Sequence, residues 1–145
     1  MLLLLVLLSV AWPLDVASQQ DAGLEWQTQA RSAVNALHYS AADYPDAVRN
    51  GAVINAREFA EQVEFAATVE ALLKDLPPRS QQGDLLARAT ILADLIETRA
   101  NAATISNHCH LLAANLIQAY GLTTAPNVAP NLSAAAALFT EQCAG

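Results

Sequence analysis

The sequence predicts an all-α protein, in which an antiparallel four-helix bundle-like domain is followed by a linker and one further short helix. Hydrophobic residues make up 54% of the 145 residues and charged residues 14%, which is typical of a packed globular protein. Alanine is prominent among the apolar residues and aromatic residues are 6% of the chain, which favours helices over sheets. Apolar residues also recur at helical spacing in four consecutive segments.

The first two predicted helices are separated by a connector. The first is expected over residues 23–42, and Pro45 is expected to end any continuation. The second begins after Asn55, a favourable N-cap, and Glu58 stands three residues further on, as a capping box requires. The residues expected to face the core from these helices are Trp26, Ala30, Ala33, Val34, Leu37, Phe59, Val63, Ala66, Val69, Leu73 and Leu76.

Turn and cap signals bound the remaining helices. Asn50 and Gly51 predict a turn in the connector. Asp84 is expected to cap the third helix, and Gly121 is expected to end a fourth helix over about residues 102–120. Four helices with short connections suggest an antiparallel bundle. The residues expected to face the core are Leu85, Ala89, Leu92 and Ile96 in the third helix, and Ile105, Cys109, Leu112, Leu116 and Ala119 in the fourth.

The N-terminal segment predicts export. Residues 2–10 are apolar except for one serine, and this run is too short to span a bilayer as a helix, which takes about 20 residues. It matches the apolar core of a secretory signal, and small residues precede an expected cleavage after Ser18. We therefore expect residues 1–18 to be a signal peptide and residues 19–121 to form an exported helical domain, which the resemblance described below places in the periplasm. An uncleaved anchor is the alternative.

The charge balance bears on the class of partner. The chain has 14 acidic and 7 basic residues, which gives a formal net charge of -7. Such a surface repels nucleic acid phosphates and gains nothing from anionic lipid. It would attract cations or a basic protein, although solubility alone is the simpler interpretation of most of these carboxylates.

One acidic group is a candidate metal site. Glu58, Glu61 and Glu64 recur at intervals of three residues and fan across one side of the second predicted helix. Asp43 and Tyr44 would lie near this helix if the connector folds back. Carboxylates and a phenol are hard oxygen donors that suit ferric or divalent ions. The alternative, a solvated acidic face, is left open by the sequence.

The histidines and cysteines do not form a recognisable metal or catalytic motif. His108 and His110 are two residues apart, so they point to nearly opposite sides of a helix and cannot bind one ion together. Cys109 falls on the apolar stripe, where a free cysteine behaves as a small buried hydrophobe. His38 is expected to be solvated or structural. No nucleophile and base pair, Gly-rich phosphate loop or HExxH motif is present, so the chain is not expected to be an enzyme.

Cys143 and its surroundings suggest a second folding unit. Residues 122–131 contain prolines and lack periodicity, which is typical of a linker. A short helix is expected from residue 132 to about residue 142. Cys143, Ala144 and Gly145 supply the first three positions of a Cys-X-X-Cys-His heme motif. A disulfide between Cys143 and Cys109 in an oxidising compartment is the alternative.

Several segments resemble the N-terminal region of bacterial cytochrome c/iron permease fusion proteins. The resemblance covers nearly the whole mature chain, and its acidic block near the connector is more specific than the helix before the last cysteine, which is general to c-type cytochromes. The segments that carry it are residues 43–48 (DYPDAV), 51–55 (GAVIN), 58–66 (EFAEQVEFA), 119–122 (AYGL), 130–132 (PNL) and 136–145 (AALFTEQCAG).

The resemblance implies a function in iron uptake. Such proteins carry a signal peptide, a periplasmic helical region, a c-type cytochrome domain and a polytopic permease. By this resemblance residues 132–145 begin the cytochrome domain, and Cys143 is its first heme-attaching cysteine. Heme c would be bound by the full-length protein, and the 145 residues would be a truncated form that stops within the heme motif.

The resemblance also implies partners and a place in the cell. Iron ions are expected to meet the acidic group described above, and the cytochrome and permease domains would follow on the same polypeptide. The full-length protein would be anchored in the inner membrane only through that C-terminal region. The alternative function is a non-catalytic periplasmic module that positions a cytochrome or docks a partner.

Overall fold

Five helices and a small hairpin make up the described chain. The computed structural model describes residues 16–123 and 131–143, with side chains from residue 25 onward. The prediction of a mostly helical protein is confirmed. In chain order the elements are α1 (Val16–Ala47), β1 (Val48–Arg49), β2 (Ala52–Val53), α2 (Ala56–Asp75), α3 (Gln82–Glu97), α4 (Ala102–Tyr120) and α5 (Leu132–Gln142).

The first four helices form a four-helix bundle. α1 packs against α2 and α4, and α3 packs against the same two helices, so that all four surround one core. Trp26, in the first half of α1, contacts Tyr120 at the end of α4. Tyr44, near the end of α1, bonds to Ala100 just before α4. α1 and α4 are therefore antiparallel, and the hairpin between α1 and α2 reverses the chain in the same way.

The predicted apolar faces supply most of the core, with one error in α2. Gln62 is fully buried, whereas Val63 is 39% exposed and Phe59 is half-buried. The buried positions of α2 follow a four-three-four spacing that places residue 62, not 63, toward the other helices. Apolar residues alone could not show this, because the inward position holds an amide. The other buried residues of α2 are Ala66, Val69 and Leu73.

Pro45 does not end α1, contrary to expectation. The helix continues through Pro45 to Ala47, even though proline removes a backbone donor and crowds the preceding turn. Tyr44 and Ala47 are both fully buried on either side of it. The packing of this last turn against the core therefore outweighs the local cost of the proline. α1 also begins earlier than expected, at Val16, before the predicted cleavage point.

The connector between α1 and α2 is a tight β-hairpin. Val48 pairs with Val53 in an antiparallel arrangement. Asn50 and Gly51 have φ values of 53° and 75°, the left-handed conformation that a type I′ turn requires at both central positions. The predicted turn is confirmed, and its two residues are ones that adopt this conformation at low cost.

Of the two reciprocal hydrogen bonds of the predicted capping box, only the one accepted by the Asn55 side chain is present. The Asn55 side chain accepts hydrogen bonds from the backbone N–H groups of Arg57 and Glu58. The Asn55 N–H donates to the Ala47 carbonyl rather than to Glu58. The hairpin thus takes the place of the reciprocal bond of a capping box.

The ends of α3 and α4 provide one correction and one confirmation. α3 begins at Gln82 after the N-cap Gln81, and Asp84 lies in its first turn instead of capping it. Gly121 ends α4 in the left-handed conformation, with φ of 61°, as expected for a C-cap glycine. Leu122, expected in the linker, is instead buried against the bundle.

The segment after the bundle contains the predicted short helix. α5 begins after Asn131, whose side chain accepts a hydrogen bond from Ala134 N–H, and no residue of α5 is buried. Residues 124–130 of the predicted linker, residues 144 and 145, and most of the predicted signal peptide lie outside the described residues. None of the described helices has the length and apolar character needed to cross a membrane.

Candidate functional site

Tyr44, one of the five predicted iron ligands, already has a structural partner. Its phenol is buried and donates a hydrogen bond of 2.9 Å to the Ala100 carbonyl. Burial raises the pKa of Tyr44, and the nearby Arg99 partly opposes that rise. A neutral, hydrogen-bonded phenol is a poor ligand for ferric iron, because strong coordination needs the phenolate. Tyr44 therefore serves the packing of the bundle in this conformation.

The four predicted carboxylates differ in environment. Asp43 and Glu58 are half-buried, and Glu64 is exposed. The Glu61 carboxylate lies 3.1 Å from the Arg57 guanidinium in an exposed ion pair one helical turn apart. Within residues 16–123 and 131–143, no group of three or more His, Cys, Asp or Glu side chains is arranged to hold a metal ion. Iron binding by these residues stays a prediction.

The two cysteines occupy opposite environments. Cys109 is buried in α4, and burial raises the pKa of its thiol to about 12. Cys143 is exposed just after α5, and its N–H donates to the Phe139 carbonyl. Both thiols are free, so the alternative disulfide between Cys109 and Cys143 is not formed in this conformation. Heme attachment at Cys143 stays a prediction.

The histidines show an arrangement that the sequence did not predict. The Nε2 atom of His108 lies 2.8 Å from the Arg88 carbonyl of α3, whereas the His110 ring contacts the ring of His38 in α1. The expectation that His108 and His110 face different ways is confirmed. His38, expected to be solvated or structural, is exposed and its ring contacts that of His110. One sequence feature is common to the two histidines of this contact: each directly follows a core residue, Leu37 before His38 and Cys109 before His110.

Tyrosines at both ends of the bundle bond to loop carbonyls. At one end the Tyr120 phenol donates to the Pro77 carbonyl at 2.9 Å, and its ring contacts Trp26. The Arg79 guanidinium lies 5.3 Å from the centre of the Tyr120 ring and 5.9 Å from that of Trp26. At the other end Tyr44 makes the equivalent bond. These contacts close the ends of the bundle.

The described surface contains shallow grooves between helices. One groove of about 380 Å³ follows α1 and the end of α4. Its lining is mixed, with apolar side chains beside polar ones that include Arg31, Asn35 and His38. Another groove, of about 260 Å³, lies between α3 and α4 and includes Asp84 and Arg88.

The fold and its polar grooves define a small helical-bundle domain. This class of fold occurs in proteins of many different functions. Comparison with protein families resolves the class further. Residues 21–120 match the iron permease-associated 4-helix bundle domain, which is more than half of the chain. The chain belongs to this family. The matched region includes α1 from residue 21 through the end of α4. No curated protein and no solved structure matches the chain.

Proposed function

We propose that this bundle is the periplasmic N-terminal part of an iron permease that also carries a c-type cytochrome domain. In this proposal it contributes to iron uptake and to heme-linked electron transfer by the full-length protein, and it is not itself an enzyme. The observation that carries the iron assignment is membership of the iron permease-associated family over residues 21–120. The cytochrome assignment rests on the resemblance of residues 136–145 to the start of a heme-binding segment.

The proposed location follows from the N-terminal segment. Residues 1–18 would be removed as a signal peptide, and the bundle would then lie in the periplasm. The permease domain that would follow on the same polypeptide would anchor the protein in the inner membrane. In this arrangement the bundle faces the compartment from which iron enters.

The surface of the bundle suits a cation in a general sense. The formal net charge of the 145-residue chain is -7, and a negative field raises the local concentration of cations. We propose that Asp43, Glu58, Glu61 and Glu64 supply the carboxylates that meet iron, since oxygen donors suit hard ions. Tyr44 could join them only if its bond to the loop carbonyl opened.

Iron titration of the full chain tests this part of the proposal. Replacing Glu58, Glu61 and Glu64 together by alanine should weaken ferric iron binding at least tenfold in isothermal titration. A control with Asp84, Asp94 and Glu97 of α3 replaced by alanine changes the net charge equally, and it should bind as the parent does. Absence of binding in the parent, or equal losses in both variants, would contradict the assignment of these residues.

Heme attachment tests the cytochrome part. The full-length gene product, made in a host with a c-type heme maturation system, should carry covalent heme that is measured as the pyridine hemochrome. Cys143→Ser should remove the first thioether, which shifts the hemochrome band, or abolish the attachment altogether. Cys109→Ala, at the buried thiol, should leave both the heme content and the band unchanged. Equal heme content together with an unchanged hemochrome band in the Cys143→Ser protein would contradict the assignment.

A second candidate function is a non-catalytic module that positions a cytochrome or docks a partner. It is favoured by the contacts of two predicted ligands: the Tyr44 phenol bonds to the Ala100 carbonyl, and Glu61 pairs with Arg57. Under this alternative the acidic side chains are solvated and the full chain does not bind iron in the titration above.

A further inference from the structure

His38 of α1 and His110 of α4 lie side by side on the surface of the bundle. Their ring centroids are 5.9 Å apart and their planes are inclined by 46°. We propose that these two imidazoles form a binding site for a divalent first-row transition-metal ion. This inference does not rest on the proposed function, since it uses neither the carboxylates nor the heme motif.

The distance between the rings suits a shared ion. A ligating histidine nitrogen lies about 2.1 Å from zinc, and the ring centroid lies about 1.1 Å further on, so two histidines on one ion have centroids about 5 to 6 Å apart. The observed 5.9 Å is at the upper end of that range. The two rings are therefore close enough for one ion to lie between them.

The ring nitrogens of the pair are free to act as ligands. In the described part of the chain neither His38 nor His110 makes a hydrogen bond or ion pair, and their ring contact is with each other. His108 is different, because its Nε2 atom is engaged with the Arg88 carbonyl. The three histidines of the chain thus divide into one structural residue and one unengaged pair.

The backbone beneath the pair is firmly held. Leu37 and Cys109, the residues immediately before the two histidines, are fully buried in the core, and α1 packs directly against α4. Two helices therefore fix the separation of the rings, while the rings themselves are exposed to incoming ions. Such a setting lowers the entropy cost of assembling a site from two distant segments.

The donor set defines the class of ion. Imidazole nitrogen suits zinc, copper, iron and nickel, whereas magnesium and calcium prefer oxygen. No third His, Cys, Asp or Glu completes the set among the described residues, so water would fill the remaining positions. The His38 ring also borders the groove along α1 that includes Asn35, which leaves room for such waters on that side.

Zinc titration tests the site. The full chain carrying Cys143→Ser, which removes the exposed thiol as a competing ligand, should bind one Zn²⁺ per chain in isothermal titration at neutral pH. His38→Ala and His110→Ala should each weaken this binding at least tenfold. His108→Ala is the matched control and should retain the parental affinity, because its ring is engaged elsewhere.

Each result either supports or overturns the proposal. Zn²⁺ should also raise the midpoint of thermal unfolding in the parent and in His108→Ala, but not in the two pair variants, because the ion would join α1 to α4. Absence of binding in the parent, or parental affinity in either pair variant, would overturn it. Circular dichroism checks the fold of the variants, and His38→Gln and His110→Gln serve as milder replacements. The ferric iron titration tests the glutamates and the zinc titration tests the histidines. A negative result in one therefore does not decide the other.

Discussion

The phenol of Tyr44 in α1 donates a hydrogen bond to the carbonyl of Ala100, 56 residues further along the chain. This bond joins the end of the first helix to the connection between α3 and α4. Arg99, just before the acceptor, has a φ of 57°, so a non-glycine residue holds the left-handed conformation beside it. The contact therefore fixes the end of α1 against the third connection of the bundle.

Removal of this phenol is expected to destabilise the fold. Tyr44→Phe keeps the buried ring but removes the donor, and the loss should be about 1 kcal/mol of unfolding free energy. Urea unfolding should show a lower midpoint with an unchanged slope. Tyr39→Phe is the control, since Tyr39 is 60% exposed, and it should change stability little. Equal stability of the Tyr44→Phe protein and the parent would show that the bond contributes nothing.

Replacement of Gln62 is expected to stabilise the bundle. Its side chain is fully buried, and neither its amide oxygen nor its amide nitrogen has a hydrogen-bond partner among the described residues. Gln62→Leu removes this unpaired amide at similar volume, so unfolding should cost about 1 to 3 kcal/mol more. Thermal unfolding followed by circular dichroism measures the gain.

The matched control is another glutamine of the bundle. Gln82 donates from its amide nitrogen to the carbonyls of Leu73 and Leu76. Gln82→Leu should therefore destabilise the fold, in contrast to the change at Gln62. A loss of stability in Gln62→Leu would contradict the prediction that the unpaired amide destabilises the fold.

Two glycines should respond in opposite directions to the same substitution. Gly51→Ala places a side chain at a φ of 75° in the hairpin turn and should cost about 1 kcal/mol. Gly83, in the first turn of α3, has open space where a Cβ would stand and no positive φ. Gly83→Ala should therefore be neutral or stabilise by up to about 1 kcal/mol. Chemical unfolding compares the two, and an equal loss in both would contradict the assigned backbone conformations.

Alkaline pH is expected to weaken the bundle. Burial raises the pKa of the Cys109 thiol from 9.0 to about 12. The unfolded chain therefore releases this proton at lower pH than the folded chain, so stability is fully present below pH 9.0 and falls as the pH rises toward about 12. Burial raises the pKa values of Tyr44 and Tyr120 in the same direction.

The thiol contribution can be isolated. Urea midpoints measured across the alkaline range should fall less steeply in Cys109→Ala than in the parent. At mildly alkaline pH an alkylating reagent should modify the exposed Cys143 first, because Cys109 is buried and its raised pKa suppresses its thiolate. Modification of both thiols at similar rates would contradict the burial of Cys109.

Local sequence signals predict the helices well and their ends less well. The turn at Asn50 and Gly51 and the C-cap at Gly121 are recognisable because these residues adopt left-handed conformations that others resist. Pro45 misleads because tertiary packing of the last turn of α1 outweighs a local rule. Asp84 misleads because an acidic residue favours the whole first turn of a helix as well as its cap.

The candidate sites show a different limit. The spacing of Glu58, Glu61 and Glu64 is readable from the sequence, but the bond between Tyr44 and the Ala100 carbonyl is not, because it depends on a connection far along the chain. The contact between His38 and His110 depends equally on which helices are neighbours. Helical periodicity gives the face of each residue, and only the arrangement of α1 against α4 brings two such faces together.

The two tyrosine bonds that close the bundle have a consequence for the order of synthesis. The bond of Tyr44 cannot form until Ala100 has been synthesised. The bond at the Pro77 carbonyl cannot form until Tyr120, 43 residues later, has been synthesised. During synthesis on the ribosome, the tyrosine bond at each end of the bundle can therefore form only after most of the domain has been made.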